Sequence, residues 1–95
     1  MNERLVRVPA ILSGFQADMD WTVETMARPL CRSQLQLLTV LKGVTQLSIP
    51  MAVRIEAMYG LDARELLIMQ LDERLANERE ARGIGGYKPQ GESHA

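Results

Sequence analysis

A chain of 95 residues allows one domain with a modest core, which excludes a large enzyme. Apolar residues make up 46% of it but aromatics only 4%, and the Leu, Met, Ala, Val and Ile that dominate recur at helical rather than alternating spacing, so the expected class is all-α. A formal net charge of −1 excludes a uniformly basic nucleic-acid binder, and any such affinity must come from a local patch.

Residues 1–8 are expected to form a flexible arm. A first helix follows from about Ala10 to Met19, where Ile11, Leu12, Phe15 and Met19 recur at helical spacing. Thr22 has N-cap chemistry for a second helix through Arg28, with Val23, Met26, Ala27 and Leu30 inward and Pro29 ending it. Ser33 and Gln36 spell a Ser-x-x-Gln capping box for a third helix, in which Leu37, Val40 and Leu41 face the core and Gly43 stops the run. Ser48 and Pro50 open a fourth, apolar at Met51, Ala52, Ile55 and Met58 and closed by Gly60. Asp62 and Glu65 cap a fifth, extended helix to about Arg82. Its Leu66, Leu67, Ile68, Met69, Leu71 and Leu75 surround nearly the whole circumference, too wide an apolar surface for a single neighbour. A homodimer contact through Leu67, Leu71 and Leu75 is therefore expected. Glycines at 83, 85 and 86, followed by Pro89 and Gly91, make 83–95 a flexible tail, leaving 9–82 as the folded domain.

The chemistry of the chain is sparse. Cys31 is the one cysteine and His94 the one histidine, so neither a disulfide, a metal site nor a Cys-His pair is expected. No cofactor and no small-molecule substrate is implied. The N-terminal apolar stretch is interrupted by Pro9, Ser13, Gly14 and Gln16, too short and too polar for a signal peptide or a membrane span, and a cytoplasmic protein is expected. Residues 1–60 carry six Lys/Arg against five Asp/Glu and residues 61–95 five against seven. Asp72, Glu73, Glu78 and Glu80 suit a basic partner, while Arg74, Arg79 and Arg82 among them equally suit ordinary ion pairs along a solvated helix.

Two short helices joined by a tight connection, one helix before and two after, form the arrangement in which a helix enters the DNA major groove while its predecessor braces it. The residues sharpen this. Met26-Ala27 and Leu30, then Ser33-Gln34-x-x-Leu37-x-x-Val40-Leu41-x-Gly43, then Leu47-Ser48-x-x-Met51-Ala52-Val53-Arg54-Ile55-Glu56 with Met58-Tyr59-Gly60, and finally Leu66-Leu67-x-Met69-Gln70 and Tyr87-Lys88-Pro89 fall in step with one pattern. From Trp21 to Gln70 the chain resembles the lambda-repressor-like (XRE) helix-turn-helix domain of HigA/VapI-type antitoxins. It departs from that pattern at Cys31 and Arg32 in the turn, at Leu35 and Leu38 where polar residues are common, and at Lys42.

The resemblance implies a five-helix lambda-repressor-like domain that dimerises and binds a palindromic operator to repress its own operon. It also implies direct neutralisation of a cognate RelE/HigB-like toxin that cleaves mRNA. A helix-turn-helix repressor without a toxin, and a helical interaction protein that has lost DNA binding, fit the same helices. For base reading the outward candidates are Gln34, Gln36 and Thr39; for phosphate they are Ser33, Lys42, Arg28 and Arg32. Ser33 and Gln36 have the alternative role of helix cap. Leu35 and Leu38 have three readings: burial by a rotated helix, thymine methyl contact, or a protein interface.

Overall fold

The helix starts are where local chemistry shows most directly. A computed structural model of the chain describes residues 4–31 and 33–83, and these form five helices with no strand among the described residues: α1 (Arg7–Asp18), α2 (Val23–Ala27), α3 (Gln34–Leu41), α4 (Ile49–Tyr59) and α5 (Ala63–Ala81). Four begin at a side-chain cap. Thr22 Oγ1 accepts from the Thr25 N–H at 3.1 Å, Ser33 Oγ from the Leu35 N–H at 3.1 Å, and Ser48 Oγ from the Met51 N–H at 3.2 Å. Asp62 Oδ1 accepts from the Arg64 and Glu65 N–H groups at 2.9 and 3.2 Å. Each bond satisfies a backbone donor that has no partner inside its own helix.

The exception is α1, which starts inside the segment expected as a flexible arm, whose residues 1–3 lie outside the described residues. The helix begins at Arg7 rather than Ala10, and Leu5 and Val8 are buried. No nearby side chain caps it. Its first donors go instead to α5, where the Glu73 carboxylate accepts from the Val6 N–H at 2.7 Å and the Arg7 N–H at 3.0 Å. A cap supplied from 66 residues away leaves no trace in the local sequence. The inward line of α1 is Val8 and Leu12 with half-buried Phe15, while Ile11 lies at the rim and Met19, past the helix end, is exposed. Met58, expected inward on α4, is exposed as well.

Leu12, Met26, Leu30, Leu37, Ile55 and Val8 form the centre of one core, in which α4 packs on α5, α1 on both α3 and α5, and α2 on α3. Three polar side chains pin the backbone between helices. Gln70, 5% exposed, accepts from the Leu47 N–H at 2.6 Å and donates to the Leu47 carbonyl at 2.9 Å, satisfying both groups of a buried loop residue. Arg54 donates from Nη1 to the Leu30 carbonyl at 3.0 Å, and the Tyr59 hydroxyl donates to the Met26 carbonyl at 2.6 Å. Tyr59 thus holds the C-terminal end of α2, and Arg54 the turn that follows it. Tyr59 also joins Phe15 and Trp21 in an aromatic cluster with centroids 5.2–5.8 Å apart. Burial and, less, the neighbouring Cys31 thiol push its phenol above the usual pKa of 10.0.

Past α3 the chain turns at Gly43, whose φ of +75° is left-handed backbone. The Leu5 N–H donates to the Gly43 carbonyl at 3.0 Å, and a Cβ at position 43 would collide with the Leu5 carbonyl oxygen. The N-terminal segment, α1 and the end of α3 thus close on one another around that glycine. No helix of the described residues is long and apolar enough to cross a membrane. The expected flexible tail of 83–95 lies, from residue 84 on, outside the described residues, as does Arg32.

Candidate nucleic-acid interface

Charge counted by element differs from charge counted by halves. Between Thr25 and Ile55 the sequence contains no Asp or Glu and four cations, Arg28, Arg32, Lys42 and Arg54, while the rest of the chain holds seven Lys/Arg and all twelve Asp/Glu. A segment of net charge +4 is set in a remainder of −5. It comprises most of α2, the connection, α3 and the first half of α4. Comparing residues 1–60 with 61–95 hides it, because Asp18, Asp20, Glu24 and Glu56 flank the segment and cancel it.

Burial of Leu37 and Val40 fixes which side of α3 faces the core. At 100° per residue Leu35 and Lys42 then lie opposite that side, with Leu38 and Thr39 flanking them. The solvent side agrees: Leu35 is 61% exposed, Gln34, Gln36 and Lys42 are exposed, and Leu38 and Thr39 are half-buried. Burial by a rotated helix is therefore the wrong account of Leu35.

The polar candidates divide by what already holds them. Gln36 accepts from the Ser33 N–H at 3.4 Å, closing the reciprocal cap of α3, so Ser33 and Gln36 both serve the helix start. The Thr39 hydroxyl donates to the Gln36 carbonyl at 3.0 Å and accepts from Thr45 Oγ1 at 3.0 Å. Those bonds lie within the fold and compete with base reading. Gln34 and Lys42 are exposed without such ties. Arg28 pairs with Glu24 at 3.3 Å, with both side chains well exposed, an interaction weak enough for a phosphate to displace.

Arg54 is the residue sequence reasoning left out of the site. With Arg28, Gln36, Ser48, Met51 and Cys31 it lines an open groove of about 370 Å³ where the α2–α3 connection meets the start of α4. Its place in the acid-free segment was the available signal. The Cys31 thiol lies 3.4 Å from the Ser33 carbonyl and 3.7 Å from that of Ala27, so at this position, where glycine is usual in the resembled pattern, it is accommodated inside the turn.

The expected dimer residues sit on α5, across the molecule's other apolar surface. Leu71 and Leu75 are 51% and 41% exposed, and half-buried Leu67 packs against the core. With Ile49 and Gln46, Leu67 and Leu71 border an apolar groove of about 380 Å³. Of the acidic residues considered for a basic partner, Glu73 is engaged in capping α1 and Glu78 pairs with Arg82. Among the described residues no cluster of His, Cys, Asp and Glu could hold a metal ion. Comparison with family models, with curated proteins and with solved structures finds no match to this chain.

Proposed function

We propose that this chain is a helix-turn-helix DNA-binding protein in which α2 braces α3 and α3 enters the major groove, acting as the antitoxin of a type II toxin-antitoxin module. The observation that supports it is the coincidence of the acid-free +4 segment with the exposed outer side of α3. A polyanion is recognised first by such a patch, even on a chain of net negative charge. Arg28, Arg32, Lys42 and Arg54 are assigned to phosphate and Gln34 to a base edge. A dimer through Leu67, Leu71 and Leu75 doubles the footprint over a palindromic operator. The toxin partner, RelE/HigB-like and mRNA-cleaving, comes from the resemblance of residues 21–70 alone, and the cytoplasmic setting is the expectation from the sequence. The chain itself contributes binding and no catalysis.

The test is selection of duplexes from a randomised library, followed by anisotropy titrations across a salt series. Arg28→Ala and Lys42→Ala are each expected to weaken selected and unrelated duplexes alike and to lower the salt slope by about one. Gln34→Ala is expected to cost about 1–3 kcal/mol on the selected duplex and almost nothing on unrelated DNA. Failure of any sequence to enrich at any salt removes the DNA reading. Co-expression with the toxin tests the partner separately: growth is restored by wild type and by Gln34→Ala if neutralisation uses another surface.

A further inference from the structure

We propose that α3 reads thymine methyl groups, with Leu35 as the principal contact and Leu38 beside it, so that the preferred duplex carries thymines where a polar helix would seek hydrogen bonds. This rests on the DNA-binding reading above. The hydrogen-bonding capacity of the outer side of α3 is small: Gln36 is held in the capping box and Thr39 by the Gln36 carbonyl and Thr45. What projects most squarely is Leu35, 61% exposed, on a helix whose opposite side is fixed in the core by Leu37 and Val40. In the major groove a leucine side chain finds one matching feature, the C5-methyl of thymine. Against the other groups on the base edges it desolvates donors and acceptors without replacing their bonds.

An exposed leucine also suits a protein partner, and charge decides between the two. Lys42 lies on the same side of α3 as Leu35, two turns along, and the sequence places no carboxylate anywhere from Thr25 to Ile55. Lys42 on the same side as a small apolar centre, with Glu24, which borders Gln34, already paired to Arg28, complements a duplex with its phosphates outside and its methyls on the groove floor.

The probe is the best duplex selected from a randomised library by the wild-type protein, with each thymine of a half-site replaced in turn by deoxyuridine. That change removes one methyl and leaves pairing intact. At one or two positions the replacement is expected to weaken wild-type binding about threefold to fivefold, the worth of one buried methyl group. 5-Methylcytosine placed opposite guanine at those positions is expected to recover part of the loss incurred by cytosine. Leu35→Ala, a change at an exposed site, is expected to weaken the thymine duplex by a similar factor and to abolish the thymine–deoxyuridine difference. Because the deoxyuridine series is read on the wild-type protein, its result does not depend on the variant folding. Equal binding to every deoxyuridine duplex, with sequence preference retained, overturns the methyl reading and leaves the DNA reading standing. No enrichment from the library overturns both, and a change of oligomeric state in Leu35→Ala then assigns the α3 leucines to a protein interface.

Discussion

Leucines reach solvent along two helices of this molecule, and their surroundings are opposite. On α3, Leu35 and half-buried Leu38 are accompanied by Lys42, with Arg28 and Arg54 at the neighbouring connection and no acid in the segment. On α5, Leu67, Leu71 and Leu75 run at four-residue spacing beside Arg64, Arg74 and Glu78, on a helix that also carries Glu65, Asp72, Glu73 and Glu80. Residues of one type thus carry different meanings. A mixed-charge rim lets a second copy approach without net repulsion and suits a self-complementary contact, whereas a mainly cationic surround, in which the bordering Glu24 is paired with Arg28, repels a like surface and attracts a polyanion. How each helix is held differs too. Gln70 and Glu73 on α5 each hold backbone elsewhere in the chain, while α3 relies on its own capping box and on the Gly43 turn.

The largest expected effect falls on that turn. Gly43→Ala combines left-handed backbone with a collision against the Leu5 carbonyl and is expected to cost about 4 kcal/mol or more in denaturant unfolding. Gly60→Ala is the control: its φ of +78° is similar but nothing lies within 4 Å of the added methyl, so a loss of about 1 kcal/mol is expected. Equal losses at the two glycines would show that the N-terminal segment does not close on α3. On α5, Gln70→Ala strands the N–H and carbonyl of Leu47 and is expected to cost about 2–4 kcal/mol, checked by thermal unfolding.

Placing the same charge in each leucine row separates the two surfaces. Leu71→Glu with Leu75→Glu is expected to shift sedimentation at micromolar concentration from dimer to monomer. Leu35→Glu is expected to leave sedimentation unchanged while lowering affinity for a selected duplex at least about tenfold, through lost contact and added repulsion. A monomeric wild type, or a dimer broken by Leu35→Glu, would reverse the assignment of the two surfaces. The smallest effect is expected at Glu24→Ala. The Glu24–Arg28 pair is exposed, so stability should change by less than about 0.5 kcal/mol, and release of Arg28 should raise duplex affinity slightly in low salt.

Much of the fold was legible residue by residue. Thr22, Ser33, Ser48 and Asp62 all cap helices in the structure, because a cap joins a side chain to backbone donors two or three residues away. Gly43 and Gly60 end α3 and α4 where expected, and Leu37, Val40, Met51, Ala52 and Ile55 are buried. The candidate site was legible in kind more than in detail. Periodicity placed Gln34 and Lys42 outside, but left Leu35 open among three readings, since a leucine's exposure depends on what the rest of the chain lays over it.

By itself, then, the sequence determined the helical class, four of the five helix starts and the turns at Gly43 and Gly60, all settled by contacts within a few residues of chain. It also held the acid-free segment from Thr25 to Ile55, a property of composition that needs no coordinates. Only the tertiary structure decided where α1 begins, because the donors of Val6 and Arg7 are satisfied by Glu73. It alone placed Arg54 beside Arg28 and Gln36, and it alone turned Leu35 to solvent. Each of these depends on which distant segments meet, and hydrophobic burial settles that for the whole chain at once, with no local spacing that announces it.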